Sequence, residues 1–315
     1  MKRGIALAMT ALLLGFGLAH IATAQQTSAS TQPRWHGDYF PNIVLQDQDG
    51  RSVRFYDDLI RNKVVVINFI FTACTDICPL DTAQLRVVQK LLGDRVGRDI
   101  FMYSVSINND TPEALRRFMR TYDVGPGWRF LTGSKEDVTR LQRLLGLRVD
   151  DPDDLRGHSA SIVLGNETTA QWIRRAAYEN PKNLAELLTV FLQNSAPTIS
   201  RKSQSYAVAT EVTDNSRGAY LFRTRCQSCH SLGEGDRLGP DLAGVVASRP
   251  PAWLARWIRE PDKMIAERDP TAMAMMARYR NLPMPNLGIG EDETADIITF
   301  MRSADEKRAA AKSRQ

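Results

Sequence analysis

The sequence has few of the residues that bind metals or cross-link a chain. Among 315 residues there are four cysteines and four histidines, so any metal site has few ligands available. Lys and Arg number 41 against 36 Asp and Glu, and no basic stripe with interleaved aromatic residues supports nucleic-acid binding. With 43% hydrophobic and 24% charged residues, the composition excludes collagen, a disordered chain and a multi-span membrane protein.

Long hydrophobic runs are confined to the N-terminus. Lys2 and Arg3 precede an almost wholly apolar stretch over residues 4–19, and Ala22-Thr23-Ala24 is a small-residue cleavage site. The apolar stretch is shorter than the roughly 20 residues that span a bilayer. Residues 1–24 are therefore predicted to be a signal peptide of a soluble periplasmic protein, and an uncleaved N-terminal membrane anchor is the alternative. No later segment is expected to span a membrane.

The length of the chain predicts two domains. A polar, Ser-rich stretch without amphipathic periodicity marks the boundary between them. The predicted divisions are a first domain over 33–196, a linker over 197–207, a second domain over 208–306 and a polar tail over 307–315.

Strand and helix patterns alternate in the first half. Asp49-Gly50 lies between two apolar runs and predicts a hairpin. Residues 64–71 form a nearly continuous β-branched and aromatic run, which is typical of a strand buried on both faces. A helix is predicted after it, and Thr111-Pro112 is predicted to begin another. This alternation predicts an α/β domain with a central sheet.

The second half has no comparable strand pattern. Helices are predicted around 218–224, 252–258 and 291–301, joined by Gly- and Pro-rich loops. The second domain is therefore expected to be all-α.

The most specific motif is Cys226-Gln227-Ser228-Cys229-His230. A C-x-x-C-H sequence is the attachment signature of c-type haem, because two thiols one turn apart can each add to a vinyl group while the His reaches the iron. A disulfide or half of a zinc site is the alternative. Zinc needs about four ligands, and residues 201–315 contain no other Cys or His, so covalent haem is favoured.

A sixth ligand of the haem iron is expected downstream of this motif. Met284 lies between two prolines and offers a thioether, which raises the potential of a haem that also has a His ligand. Other methionines compete for this role, and their alternative role is to fill gaps in a core. The competitors are Met264 and, in an Ala- and Met-rich run that is expected to be flexible, Met273, Met275 and Met276.

Residues 216–303 resemble a small class I cytochrome c domain. The matching segments are 218–222 before the haem motif, 239–242 after it, 284–288, and a terminal helix that contains Phe300. The resemblance implies that Cys226 and Cys229 bind haem c covalently and that His230 and Met284 are the axial ligands of the iron.

A second pair of cysteines, Cys74 and Cys78, lies between the predicted buried strand and the helix that follows it. Their positions are i and i+4, so a helical turn brings both sulfur atoms to one side, and a helix N-terminus favours thiolates. They are either a redox dithiol that can form a disulfide bond or two soft ligands of a metal. With one imidazole they would suit copper. His158 is the candidate imidazole, although closing such a loop costs about 4 kcal/mol, so the fold must bring it to the cysteines.

Residues 36–195 resemble the Sco/SenC family, thioredoxin-like proteins that bind copper and help to assemble the copper centre of cytochrome oxidase. The matching segments are 68–72, 74–79, 110–115, 128–134 and His158-Ser159. The resemblance implies a thioredoxin-like fold and copper ligation by Cys74, Cys78 and His158. The chain has Gly157 where the family usually has an acidic residue, and residues 108–110 replace a longer stretch.

Together these features predict an exported, copper-binding haem protein that acts as a metallochaperone in oxidase assembly, with electron transfer between haem c and the copper or dithiol site. The expected partners are the copper-binding subunit of a cytochrome oxidase, or another copper protein, and an external electron donor. The alternative is a thiol–disulfide oxidoreductase coupled to a haem electron carrier, without an essential copper role. The flexible linker predicts that the two domains touch without a stable interface.

Overall fold

The computed structural model describes residues 39–74, 77–147, 161–177, 179–192, 214 and 216–313. It contains an α/β region (residues 39–192) followed by a helical region (residues 214–313), as the sequence predicts. The predicted signal peptide and linker lie outside the described residues, and so does His158. Within the described residues, no helix is both long and apolar enough to cross a bilayer.

The α/β region is built on one mixed sheet. In the described residues the sheet has seven strands in the order β2-β1-β5-β4-β3-β6-β7. The strands are β1 (Val44–Asp47), β2 (Ser52–Arg54), β3 (Val64–Ile70), β4 (Ile100–Ser106), β5 (Trp128–Thr132), β6 (Ser161–Asn166) and β7 (Gln171–Ala176). The central strands β3, β4 and β5 run parallel, and the others join antiparallel. All seven side chains of β3 are buried, which explains its continuous apolar run.

The helices of this region cover the sheet. They are α1 (Ile77–Leu92), α2 (Pro112–Thr121), α3 (Lys135–Leu144) and α4 (Pro181–Leu192). The hydroxyl oxygen of Thr111 accepts a hydrogen bond from the Ala114 N–H at 3.2 Å. This N-cap and the proline that follows it confirm the predicted start of α2.

The helical region contains short helices and one long one. They are α5 (Arg217–Leu221), α6 (Val245–Ser248), α7 (Pro251–Arg259), α8 (Pro261–Ala266), α9 (Pro270–Arg278) and α10 (Glu291–Lys312). After α5 the chain continues as a π-helical turn, Phe222–Cys226, which carries the first cysteine of the haem motif. The prediction that the Ala- and Met-rich run is flexible is wrong, because the run forms α9. Asp269 caps that helix by accepting a hydrogen bond from the Ala272 N–H at 2.9 Å.

Helix α5 packs against α10 at a glycine. A Cβ atom at Gly218 would overlap the carbonyl oxygen of Asp296 and lie 2.9 Å from the Cβ atom of Phe300. Next to this contact, the rings of Phe222 and Phe300 pack with their centroids 5.5 Å apart. The haem motif is therefore held against α10 by a backbone-to-backbone contact that only glycine allows.

The described residues of the two regions belong to one compact unit and contact each other. Leu238 of the helical region is buried in the apolar cluster that contains Cys78. The Nε atom of Arg280 donates a hydrogen bond to the Thr121 carbonyl oxygen at 3.2 Å. This differs from the expectation of domains without a stable interface. We call this contact surface the seam, and it comprises Pro79, Thr121, Tyr122, Leu238, Arg280 and Leu282.

The glycine contact predicts a specific loss of stability. Gly218→Ala in the haem-loaded chain is expected to lower the free energy of unfolding of the helical region by about 1–3 kcal/mol, because the added methyl group forces α5 away from α10. Thermal unfolding followed by haem absorbance measures this. Tyr220→Ala changes an exposed side chain of the same helix and is the control. Equal unfolding temperatures for Gly218→Ala and the wild type would contradict the close packing.

Candidate metal and haem sites

Cys74 and Cys78 lie at the carboxyl end of β3, where the chain turns into α1. The Cys74 N–H donates a hydrogen bond to the Phe71 carbonyl oxygen at 3.1 Å, which closes the turn. Cys78 is fully buried and Cys74 is nearly so. Both thiols belong to the apolar cluster between the sheet and α1. The strand-to-helix turn thus brings the two thiols together in the interior.

Asp110 holds this turn against the neighbouring strand. Its carboxylate accepts hydrogen bonds from the backbone N–H and the hydroxyl of Thr72, both at 2.8 Å. It also accepts a hydrogen bond from the Ser106 hydroxyl at the end of β4, at 2.8 Å. Because β3 and β4 are parallel, their carboxyl ends are adjacent and one carboxylate can bridge them. The sequence analysis assigned no role to Asp110, although a short polar segment directly after a buried strand was the available signal.

Burial controls the electrostatics of the thiol pair. The pKa of Cys78 is raised, first by burial and then by the hydrogen bond and charge of Cys74. A helix N-terminus was expected to favour thiolates, but for Cys78 the loss of hydration is the larger effect. Without a metal Cys78 therefore keeps its proton at neutral pH. A soft cation that replaces the thiol protons fits this donor set.

A third ligand does not lie within the part of the chain that the structure describes. There, no group of three His, Cys, Asp or Glu side chains could hold a metal ion. The predicted imidazole ligand, His158, falls outside the described residues. The structure thus brings together the two sulfur atoms, and ligation by His158 stays a prediction.

The helical region surrounds a cavity that brings the predicted haem residues together. Cys226, Cys229, His230 and Met284 all line it. The rest of its wall is mainly apolar and includes Phe222, Leu254, Trp257, Ile289, Ile297 and Met301. An apolar cleft with a few convergent ligands suits a flat, largely apolar prosthetic group.

The backbone of the haem motif forms a tight turn. The N–H groups of Cys229 and His230 both donate to the Cys226 carbonyl oxygen, at 3.1 and 2.9 Å. Burial raises the pKa of Cys226 to about 12 and that of Cys229 to about 11. Both side chains are therefore protonated thiols that face one cavity, which is the form that adds across a vinyl group.

The imidazole of His230 is oriented by its surroundings. Its Nδ1 atom lies 2.9 Å from the Pro240 carbonyl oxygen. Because a carbonyl oxygen only accepts, Nδ1 carries the proton and Nε2 keeps its lone pair. Burial lowers the pKa of His230, which keeps the ring neutral. A Cβ atom at Gly239 would lie 2.6 Å from the Cε1 atom of the ring, so the glycine leaves the space that the ring occupies.

The methionines divide into two groups by their position. Among the described residues, Met264 and Met273 do not line the cavity, and Met264 is buried in a cluster with Trp257. Four methionines remain as possible axial ligands, and these are Met275, Met276, Met284 and Met301. Met284 lies between prolines in the segment after α9, and its role as the iron ligand stays a prediction.

The cavity wall includes residues that the sequence analysis did not single out. Pro79 and Tyr122, both from the α/β region, line the same cavity as Cys229. Arg249 also lines it and stacks its guanidinium group on the Trp253 ring, 5.6 Å from the centroid. Arg249 has no ion-pair partner among the described residues, so its charge is available to an anionic group in the cavity. Only the folded chain could reveal that the α/β region contributes to this wall.

Comparison with known proteins divides the chain in the same way. The SCO1/SenC family model matches residues 32–192, and the cytochrome c family model matches residues 216–305. A SCO1 protein homolog from Bacillus subtilis (strain 168) is 37% identical over 93 residues, which cover 29% of this chain and 47% of that protein. A cytochrome c from Cochliobolus lunatus is 51% identical over 41 residues, which cover 12% of this chain and 38% of that protein. The chain therefore spans less than half the length of each of these two relatives.

The chain is also similar to solved structures of the first of these families. A SCO1/SenC family lipoprotein from Bacillus anthracis str. Ames shares 25% identity and has a TM-score of 0.42, with 47% of this chain and 92% of that chain covered. SCO1/SenC proteins bind copper, and cytochrome c domains bind haem c. Because the first family model matches half of the chain, the protein belongs to the SCO1/SenC family, and its helical region is a cytochrome c domain.

Proposed function

We propose that this protein is an exported, copper-binding haem protein that assists assembly of the copper centre of a cytochrome oxidase, with electron transfer between haem c and the Cys74–Cys78 site. One observation carries the proposal. Pro79, the residue directly after Cys78, lines the cavity that also contains Cys229 and His230. The two predicted redox sites therefore share a wall, which supports transfer within one molecule.

Copper is the cargo in this proposal. Cys74 and Cys78 would supply two sulfur ligands, and His158 would supply an imidazole. Sulfur favours Cu(I), while the nitrogen ligand matters more for Cu(II). The hydrogen bonds from Thr72 to Asp110 keep the turn in place while the thiols exchange protons for the metal.

The helical region would hold haem c, which supplies one-electron redox chemistry when it is bound. Cys226 and Cys229 would attach it through thioether bonds. His230 presents an unprotonated Nε2 atom because Nδ1 is committed to the Pro240 carbonyl oxygen. Met284 would provide the second axial ligand. Arg249, stacked on Trp253, would offer its positive charge to a carboxylate of the group.

Electron counting explains why a haem domain would accompany the dithiol. Copper binding by two thiolates requires reduced cysteines, and an exported protein works where disulfides form. Reduction of a Cys74–Cys78 disulfide to two thiols needs two electrons and two protons. Reduction of bound Cu(II) to Cu(I) needs one electron. A one-electron donor on the same chain serves the second reaction in one step and the first in two.

We infer a periplasmic location from residues 1–24, with an uncleaved anchor as the alternative. The proposed copper acceptor is the copper-binding subunit of a cytochrome oxidase or another copper protein. An external electron donor would re-reduce the haem.

The second candidate function is thiol–disulfide exchange without an essential copper role. The hydrogen bond between Cys74 and Cys78 favours it, because two thiols in contact can form a disulfide. Removal of copper distinguishes the two functions. An oxidoreductase would keep its exchange activity after chelation, whereas a copper carrier would lose its function.

Copper binding tests the first site. The haem-loaded chain is expected to bind about one copper ion through Cys74, Cys78 and His158. His158→Ala is expected to weaken Cu(II) binding more than Cu(I) binding, because two thiolates suffice for Cu(I). Metal analysis and the thiolate-to-Cu(II) charge-transfer band measure this, and His36→Ala is the matched control. An unchanged Cu(II) spectrum in His158→Ala would remove His158 from the site.

Haem attachment and axial ligation test the second site. Cys226→Ala with Cys229→Ala is expected to abolish covalent haem while the α/β region stays folded.

Met284→Ala is expected to remove the long-wavelength iron–thioether absorption and to lower the haem potential, since a thioether ligand is lost. Met273→Ala, at a position outside the cavity wall, is the control. Persistence of that absorption in Met284→Ala would assign the ligand to another methionine.

Stopped-flow mixing tests the link between the sites. When the ferrous protein is mixed with Cu(II), the haem is expected to be oxidised, after copper binding is complete, at a rate that does not depend on protein concentration. Replacement of both Cys74 and Cys78 by Ser is expected to abolish this phase, because Cu(II) is no longer bound beside the seam. A rate that rises linearly with protein concentration would show transfer between molecules. No oxidation at all would contradict the proposed electron transfer.

A further inference from the structure

Tyr122 borders both predicted redox sites. It follows directly after α2, and only 3% of the residue's surface is exposed. Its ring packs on the Phe118 ring with the centroids 4.5 Å apart, inside the apolar cluster that contains Cys74 and Cys78. The same side chain lines the haem cavity.

The electrostatic surroundings of Tyr122 agree with this position. The pKa of its hydroxyl is raised, first by burial and then by the charges that Cys229, Cys78 and Cys74 would carry. Cys78 and Cys74 form the dithiol, and Cys229 belongs to the haem motif. The phenol is therefore within electrostatic reach of both sites.

The residues on either side of Tyr122 are hydrogen-bonded to different regions of the protein. The carbonyl oxygen of Thr121 accepts the hydrogen bond from Arg280 of the helical region. The carbonyl oxygen of Asp123 accepts a hydrogen bond at 2.9 Å from the Nε atom of Arg86, which lies on α1. Arg280 has φ near 59°, a left-handed conformation that is uncommon outside glycine. The backbone around Tyr122 is thus tied to both regions at once.

We propose that Tyr122 is the positioning residue that couples the Cys74–Cys78 site to the haem cavity. Its ring fills the space between Cys78 and Cys229. The two sites are therefore connected by packed atoms, and water is excluded from the space between them. Loss of the ring would open a space onto the haem cavity, whose lining includes the polar side chains of His230 and Arg249, and such a space can take up water. Water has a much higher dielectric constant than a protein interior and would weaken the interaction of charges across the seam.

This inference rests on the proposed function for its effect on electron transfer, but it also has a consequence that needs no transfer. Copper at Cys74 and Cys78 replaces the thiol protons on one side of the Tyr122 ring. With both protons displaced, Cu(I) leaves one additional negative charge there, whereas Cu(II) leaves the net charge unchanged. The potential of the haem on the other side should shift, and the shift should depend on what fills the seam.

The experiment uses the full haem-loaded chain and two readouts. The first is the change in haem midpoint potential when Cu(I) binds. The second is the rate of haem oxidation by bound Cu(II). Tyr122→Leu is expected to reduce both several-fold, whereas Tyr122→Phe is expected to retain both because it keeps the ring. Phe118→Leu removes the neighbouring ring, which does not line the cavity, and is expected to behave like the wild type.

Several results would overturn the inference. These are unchanged readouts in Tyr122→Leu, an equal loss in Phe118→Leu, an equal loss in Tyr122→Phe, or no potential shift in the wild type. If Tyr122→Leu does not fold, Tyr122→Met keeps side-chain length without a ring and gives the same test. A wild-type potential shift that depends on the Tyr122 ring, without any electron transfer, would refute the proposed function and support this inference.

Discussion

The burial of Cys74 and Cys78, where the chain passes from β3 into α1, is the constraint on which the rest of the structure depends. β3 is covered on both faces, so the chain that leaves it must enter a helix without exposing the apolar cluster beneath. Asp110 makes this possible, because its carboxylate satisfies the backbone of Thr72 that the turn leaves without a strand partner. Cys78 then enters the interior, and the next residue, Pro79, reaches the wall of the haem cavity.

Burial also sets the chemistry of both candidate sites. It raises the pKa of Cys78 in the dithiol and of Cys226 and Cys229 in the haem motif, and it lowers the pKa of His230. In each case the neutral form is favoured, because a charge loses more hydration than a neutral group does. Neutral thiols and a neutral imidazole are suited to accept a metal or a prosthetic group, whereas exposed thiolates would react with oxidants in solution. The interior thus protects the ligands until their partners arrive.

The contact between the two regions changes how a fused haem domain can act. A flexible tether would raise the local concentration of the haem domain but leave its orientation free. The hydrogen bond from Arg280 to Thr121 and the burial of Leu238 give the seam a defined geometry instead. The residues that border the dithiol, Pro79 and Tyr122, consequently also border the haem cavity. The dithiol and the haem cavity are close because side chains pack between them, and their distance does not depend on the length of the linker.

The sequence by itself determined the local features. The continuous apolar run of β3, the cap at Thr111, the spacing of Cys74 and Cys78, and the motif from Cys226 to His230 are patterns of neighbouring residues, and neighbouring residues decide them. The short helix α9 was missed because its nearly all-apolar run has no apolar–polar periodicity, and its cap at Asp269 lies outside the run itself. What only the tertiary structure decided was the meeting of distant residues: Asp110 with Thr72, Gly218 with Asp296, and Tyr122 with the cavity that holds Cys229. No local sequence pattern predicts such long-range contacts, because the identity of an apolar or small residue does not indicate which surface its side chain packs against.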